Sequence, residues 1–530
     1  MQLCIAQKKL ERKEYEEWSR EVGAAMLAAE RDRLLMTLYE RMETNLDLLG
    51  GTAIEDKLQD GVPETIALLR EAGIKIWMLT GDKLETAINI GLSCNLFTPT
   101  TRTVVLRGST EDQLKGEIQN ALKEIADHPE AQHGVVVEGQ TLLLVLRRDV
   151  KLLFLDLCCR CASVICCRVS PQQKADVVSL VQRHRDVVTL AVGDGANDVS
   201  MIQRANVGVG IAGLEGRQAV MSSDYAIARF KFLQRLLLIH GRWCYLRCAE
   251  MTLVFFFKNV VFVLPIFWYQ FLCAFSAQSM YHFSNQMFYN LLYTSLPVIA
   301  VAALDQEVSA AYSLKYPWIY EMGPRRRRFN RQVFWLQILD GVWQSVMCFV
   351  IPYHMYGRAE GAQGPHGGQT SYLFQLGNII AACVVVSTNT SVVFKARRWN
   401  GITVAAYLIC TAGFFIIPLI IDGVAHTLSD FTWDYYQLSE PMFRTPLFWL
   451  TLLVTVTAAI LPRFIRQAYH QLFYPDSVDI IREVELLGLD LVPPESESKL
   501  TELKSLGSSS PEPSPSPISS PKTRNFDQAM

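Results

Sequence analysis

The chain is short of charge for its size: only 19% of its 530 residues are Asp, Glu, Lys or Arg, against roughly 25% in soluble domains. The deficit is local. The first 250 residues are densely charged, residues 251–470 carry long apolar runs, and the last 45 are rich in Ser and Pro. A soluble enzyme with one continuous core is therefore excluded, and 530 residues exceed a single compact domain. There is little net charge (−2), so nothing recommends nucleic acid as a partner. Thirteen cysteines are too few in so long a chain for a disulfide scaffold. The five clustered ones, Cys158, Cys159, Cys161, Cys166 and Cys167, lack the paired C-x2-C arrangement of zinc sites and read as small buried apolar residues. No short apolar stretch follows Met1, so no cleaved signal is expected and the amino terminus is expected in the cytosol.

What is present falls into four parts. Residues 11–48 read as one long charged helix closing at Gly50-Gly51. β-type runs follow at Ile74–Thr80, Val135–Glu138, Val164–Val169 and Val187–Gly193, with shorter ones at Val207–Ile211 and Asp224–Ile227. Helical patterns separate most of them, which predicts a mostly parallel, doubly wound α/β sheet over residues 50–232. Six apolar stretches then run at about 249–273, 284–304, 333–355, 372–394, 402–421 and 446–465, each near the ~20 residues that cross a bilayer. They predict an all-α bundle of six membrane helices over residues 233–475, in contact with the lipid bilayer. Residues 476–530 form a cytosolic tail whose end, from Glu495, is too polar and Pro-rich to bury a core. Its Ser-Pro pairs read either as phosphorylation sites or as a passive solvated end.

Loop charge sets the expected orientation. Arg235, Arg242 and Arg247 precede the first span, Lys315, Arg325–Arg328 and Arg331 fill the second loop, and Lys395, Arg397 and Arg398 fill the fourth. The alternate loops hold only Arg358 and Arg444. Positive loops lie inside, so both termini and the α/β domain are expected in the cytosol.

Three clusters carry chemistry. Gly193-Asp194-Gly195-Ala196-Asn197-Asp198 follows an apolar run and opens a helical one, putting two carboxylates and an amide at a strand's carboxyl end. Asp194 and Asp198 offer the hard oxygens that Mg²⁺ prefers; an ordinary Asn/Gly/Asp turn is the plain alternative. Thr80-Gly81-Asp82-Lys83 likewise ends an apolar run at a helix start, where backbone N–H groups hold a phosphate oxygen. Arg168 and Lys174 lie just past a third strand, suited to clamping nucleotide phosphate and neutralising a transferring phosphoryl group. Three such pieces, each at a strand end, point to one site.

Thr-Gly-Asp, the downstream lysine and Gly-Asp-Gly-x-Asn-Asp resemble the later motifs of the haloacid-dehalogenase phosphoryl-transfer fold. With residues 51–63, His240-Gly241-Arg242-Trp243, Phe257-Lys258-Asn259 and Tyr293–Pro297, the chain resembles the type IV P-type ATPases, the phospholipid flippases, up to about residue 475. The resemblance implies a haloacid-dehalogenase-like cytosolic domain and an ATP-driven, Mg²⁺-dependent phospholipid translocase working from the exoplasmic to the cytosolic leaflet. It implies ATP and Mg²⁺ as cofactors and a two-span accessory subunit as partner. The plasma membrane or Golgi and endosomal membranes would be the location. By the same resemblance Thr80, Gly81, Asp82, Arg168, Lys174, Asn197 and Asp198 would bind phosphate or nucleotide, and Asp194 and Asp198 the metal. Residues 1–49 would be a remnant of the nucleotide-binding domain. The family's phosphorylated aspartate lies in an Asp-Lys-Thr-Gly motif that this sequence lacks; Asp56-Lys57 and Asp82-Lys83 are each followed by Leu. The expectation is therefore a carboxy-terminal part, inactive alone; the alternative is a catalytically inactive truncated membrane protein that assembles with a separate amino-terminal half or with the accessory subunit.

In the membrane half, no Asp or Glu occurs between Met251 and Leu304, which disfavours a cation pump. Lys258 and Asn259, with Asn290, are expected to line an uncharged polar path for a lipid head group; the competing reading has Lys258 snorkelling to an interface. Pro297 frees backbone groups that a groove or a neighbour must meet. Asp340 is expected to pair with a neighbouring helix, and Asn389-Thr390-Ser391 matches a glycan acceptor pattern that the orientation leaves unused.

Overall fold

The computed structural model describes residues 2–26, 31–53, 58–147, 150–213, 216–357, 373–424 and 439–488. The Ser-Pro tail from Glu495, Arg358, Asp56-Lys57 and most of the loop between Asp422 and Glu440 lie outside these residues.

The amino-terminal segment differs from the single helix that its charge pattern suggests. Strand β1 (Gln2–Gln7) pairs antiparallel with β2 (Asp47–Ala53), and two helices, Arg12–Ala25 and Arg31–Met42, lie between them. Val22 and Ala25 of the first helix pack on Leu35 of the second, and the Trp18 indole donates to the Leu38 carbonyl. One straight helix would leave both apolar stripes in water, and folding it back buries each against the other. Gly50 and Gly51 sit inside β2 opposite Ile5 and Cys4, beside a register shift in β1. They accompany a strand irregularity and end no helix.

Strands β3 (Ile76–Leu79), β4 (Arg102–Leu106), β5 (His133–Glu138) and β6 (Ser163–Cys167) form a parallel sheet in the order β3-β6-β5-β4. Strands β7 (Leu190–Gly193), β8 (Val207–Ile211) and β9 (Tyr225–Ile227) form a second parallel sheet. Parallel strands alternating with helices match expectation, but the doubly wound sheet is divided. No ladder joins β3 to β7 among the described residues. The two edges share apolar neighbours instead: Ile76 with Leu190 and Val192 around Leu69 and Val209, and Leu79 with Ala191 and Met201. Val187 and Val188 are exposed, which shortens β7 to four residues.

Among the described residues, six helices are long and apolar enough to cross a membrane: Phe232–Gln270, Phe283–Leu304, Arg331–Tyr356, Leu373–Lys395, Gly401–Ile421 and Pro446–Phe473. All six match the apolar stretches of the sequence. The first begins well before its apolar part and, at 1.5 Å per residue, runs roughly 58 Å, about twice a bilayer's hydrocarbon core. The fourth is the axis of the bundle, with 83% of its apolar window buried. Asp340 of the third span meets Arg463 of the sixth at 3.3 Å, both nearly inaccessible. Glu250 of the first pairs with Lys395 of the fourth.

Cys158, Cys161, Cys166 and Cys167 are buried, and no three His, Cys, Asp or Glu side chains converge on a metal position among the described residues. Burial pushes the Cys161 and Cys166 thiols up to about 12. Since the thiolate is the nucleophile, maleimide at neutral pH is expected to label exposed Cys4 and Cys244 about a hundredfold faster than Cys161 or Cys166. Peptide mass spectrometry after timed quenching measures this, and equal rates would contradict the packing described.

Candidate functional site

The carboxyl ends of β3 and β6 are knitted together by backbone. Thr80 N–H donates to the Cys166 carbonyl (2.9 Å), Val169 N–H to Thr80 (3.1 Å) and Arg168 N–H to Asp82 (3.0 Å). The Thr80 hydroxyl donates to the Asp82 carboxylate at 2.6 Å, and Gly81 has open space above it. Beyond β6, Ser170 caps helix Pro171–His184 in a reciprocal box with Gln173, whose amide also donates to the Gly139 carbonyl at 2.7 Å. The Ser-x-x-Gln spacing announces that cap in the sequence. The cap sets the first turn, and with it the direction of Lys174, 8% exposed, whose ammonium donates to Asp198 at 2.8 Å.

On the β7 side, Gly193 is required by close approach: a Cβ there would lie 2.3 Å from the Cβ of Asp198. Ser200 ties the following helix to Pro171 at 2.8 Å. Asp194 and Asn197 are exposed, and neither side chain has a polar partner among the described residues. Arg168 is aimed elsewhere. Its backbone is left-handed (φ 51°), and its guanidinium meets Glu138 at the end of β5 at 3.2 Å. The structure thus joins Thr80 to the Cys166 and Val169 backbone, Asp82 to the Arg168 backbone, and Lys174 to Asp198. Glu138 and Gly139 are additions that the sequence did not single out; Gly139 is fixed by the Arg168 carbonyl, 2.2 Å from where its Cβ would stand.

The second span is interrupted between Phe283–Phe288 and Ser295–Leu304 by a wide turn, Tyr289–Tyr293. Pro297 has no N–H to give the Tyr293 carbonyl. The Asn389 amide supplies that hydrogen bond at 2.9 Å, the Cys410 thiol donates to Leu292, and the Thr294 hydroxyl donates to Tyr289 at 2.7 Å. Neighbours meet the freed carbonyls, as a bilayer demands. The buried Lys258 ammonium donates to Thr294 at 3.2 Å, and the Tyr289 hydroxyl to the Lys258 carbonyl. Lys258 has no carboxylate partner among the described residues. Asn259 donates back to Phe255 on its own helix, and Asn290 is exposed. The enclosed polar set around Lys258 is therefore Thr294, Tyr289, Thr388 and Asn389. Asn389, of the glycan-like triplet, is fully buried. Its signal was the spacing of Asn378 and Asn389, three helical turns apart on one face.

Below the bundle, Glu307 accepts from Arg242 (2.6 Å), Arg328 (2.8 Å) and Arg397 (2.8 Å), one from each of three chain segments. Burial alone would raise its carboxyl, but Arg397, Arg328 and Arg242 hold it below its ordinary value. Helix Ser477–Leu487 closes this joint: Asp479 approaches Arg397, Asp476 approaches Arg328, and Val478 and Ile481 pack on Val308, Tyr316 and Ile319.

Residues 220–476 match the family model described as phospholipid-translocating P-type ATPase, C-terminal. Phospholipid-transporting ATPase DNF1 of Chaetomium thermophilum is 44% identical over 506 residues, covering 91% of this chain and 32% of the relative. The Saccharomyces cerevisiae DNF1 is 41% identical over 93% of this chain and 33% of the relative. Phospholipid-transporting ATPase ID of Mus musculus is 39% identical over 92% and 42% respectively. The chain thus spans about a third to two fifths of the length of these curated relatives. A multi-pass membrane protein whose similarity to them runs from the α/β strands through all six spans, it belongs to the phospholipid-translocating P-type ATPases and corresponds to their carboxy-terminal part.

Proposed function

We propose that this chain supplies the phosphate-gripping edge and six membrane helices of an ATP-driven, Mg²⁺-dependent phospholipid translocase that moves lipid toward the cytosolic leaflet. The Lys174–Asp198 contact carries the reading: a nearly buried cation and carboxylate at 2.8 Å, linking the helix after β6 to the turn after β7, suit phosphoryl transfer better than a surface turn. The α/β domain then acts as a haloacid-dehalogenase-like domain. Asp194, exposed without a protein partner, and the second oxygen of Asp198 are the two carboxylate donors that fit a Mg²⁺ ion, which takes few protein ligands and keeps waters and phosphate. Bound there, the metal would neutralise phosphate charge. Thr80 and the amides at Gly81–Asp82 would hold a phosphoryl oxygen, and Lys174 would balance the charge of the transferring group. In the bundle, Lys258 lacks a carboxylate counter-charge among the described residues and faces a helix break, which suits transient pairing with a head-group phosphate. Both termini would lie in the cytosol, with the chain in the plasma membrane or Golgi and endosomal membranes and a two-span accessory subunit beside it.

A second reading has support of its own. Strands β3 and β7 each end a parallel sheet, and the phosphate-gripping loops leave from both. Such edges suit a further parallel strand from a segment carrying Asp-Lys-Thr-Gly, so the chain would act by assembly with a separate amino-terminal half. Both readings share an expected result: the chain alone forms no acid-stable phosphoenzyme from labelled ATP. Co-expression with a segment bearing Asp-Lys-Thr-Gly and four spans is expected to restore lipid-stimulated ATP hydrolysis. Phosphoenzyme on the isolated chain would overturn both.

A further inference from the structure

A cavity of about 40 Å³ lies at the rim of the bundle, away from the strand ends and from Lys258. Four cations line it, Arg247, Arg328, Lys395 and Arg397, against the carboxylates of Glu250, Asp305 and Glu307. Those acids are already engaged. Glu250 pairs with Lys395, and Glu307 is shared by Arg328, Arg397 and the neighbouring Arg242. Asp305 accepts the backbone N–H groups of Arg397 and Arg398 at 2.9 and 3.0 Å, both on Oδ1. Donors are left over. Arg247 hydrogen-bonds only through its Nε, toward the Asp305 backbone carbonyl at 2.7 Å, lies over the Trp243 ring at 5.5 Å, and enters no ion pair among the described residues. The Nε of Arg328, and Nε and Nη1 of Arg242, are buried without an acceptor. Buried guanidinium donors left unmet are costly, so the cavity is short of an acceptor that also carries charge. Its volume suits about three waters or one tetrahedral oxyanion, and arginine forks match the oxygens of such an anion.

We propose that this cavity is a phosphate-binding site, filled by inorganic phosphate or by the head-group phosphate of an anionic lipid. Arg247 supplies its free fork, Arg328 its Nε, and the Glu307 joint holds both in place. Occupancy would brace the first span against the second loop and the end of the fourth span. The proposal does not depend on phosphate binding at the α/β edge.

The test is thermal unfolding of the full chain in neutral detergent, titrated with sodium phosphate, with short-chain phosphatidic acid, and with phosphatidylcholine and sodium chloride as controls. A Lys174→Ala background removes the α/β edge from the response. In that background a saturable rise in Tm with phosphate or phosphatidic acid is expected. Arg247→Gln should weaken it at least about tenfold, since it leaves a buried partner group unpaired, and Arg247→Lys should restore part of it. A response to phosphatidic acid alone identifies lipid as the source, and one to both ligands identifies the phosphate group itself. No saturable response to either, or one that Arg247→Gln leaves unchanged, overturns the proposal and leaves water as the occupant. A wild-type response that Lys174→Ala does not reduce would instead count against the α/β reading alone.

Discussion

Lys174→Ala is expected to lower lipid-stimulated ATP hydrolysis of the reassembled pump by about 10²–10³-fold, the usual cost of removing one preorganised charge-stabilising donor. The size follows from position. The ammonium is 8% exposed, held by a capped helix turn, and 2.8 Å from Asp198. Its removal would take a cation from the proposed phosphoryl position and leave Asp198 without its partner. Arg168→Ala provides the contrast. That guanidinium is half exposed and engaged by Glu138, so a loss of only a few-fold is expected. Steady-state ATPase assays of both variants, with circular dichroism to confirm folding, measure the difference. Equal effects would remove the distinction drawn between the two cations.

Glu307→Ala is expected to destabilise the chain by about 3–5 kcal/mol, because breaking a buried ion pair strands its partners, here three arginines at once. The damage should spread to helix Ser477–Leu487, whose Asp476 and Asp479 reach the same arginines. Faster hydrogen exchange over Val478–Val484 would register its release. The pH dependence has a definite sign. The folded carboxyl titrates below its ordinary value, so its stabilisation is complete above the unfolded value, about 4.3, and is lost as pH falls through the folded one. The wild-type Tm should therefore drop more steeply than that of Glu307→Ala as pH falls below about 4. Parallel curves would show that Glu307 is not the group responsible.

Much of the site was legible because it is written locally. Gly-Asp-Gly-Ala-Asn-Asp and Thr-Gly-Asp each mark a strand end by the change from an apolar run to a polar turn, and Ser-Pro-Gln-Gln carries its own helix cap. The direction of Arg168 was not legible. Its left-handed backbone is set by Thr80, Asp82 and the glycine at 139, which come from other strands. Nor did Asn290 reveal that it faces outward, since the turn at Tyr289–Tyr293 rotates the helix there. The packing of helix Arg12–Ala25 on helix Arg31–Met42 escaped for a related reason: the contact of Val22 and Ala25 with Leu35 joins residues distant along the chain.

By itself, the sequence determined the parts and their order: an α/β unit, six spans at nearly the right residues, and polar clusters at strand ends. These depend on hydropathy, length and turn residues, which act within a few neighbours along the chain. Tertiary structure alone decided that the parallel strands divide into two sheets, that Lys258 meets Thr294 while Asn259 does not, and that three arginines share Glu307. Those outcomes depend on which distant groups compete for the same buried donors, acceptors and charge, and that competition exists only once the chain has closed on itself.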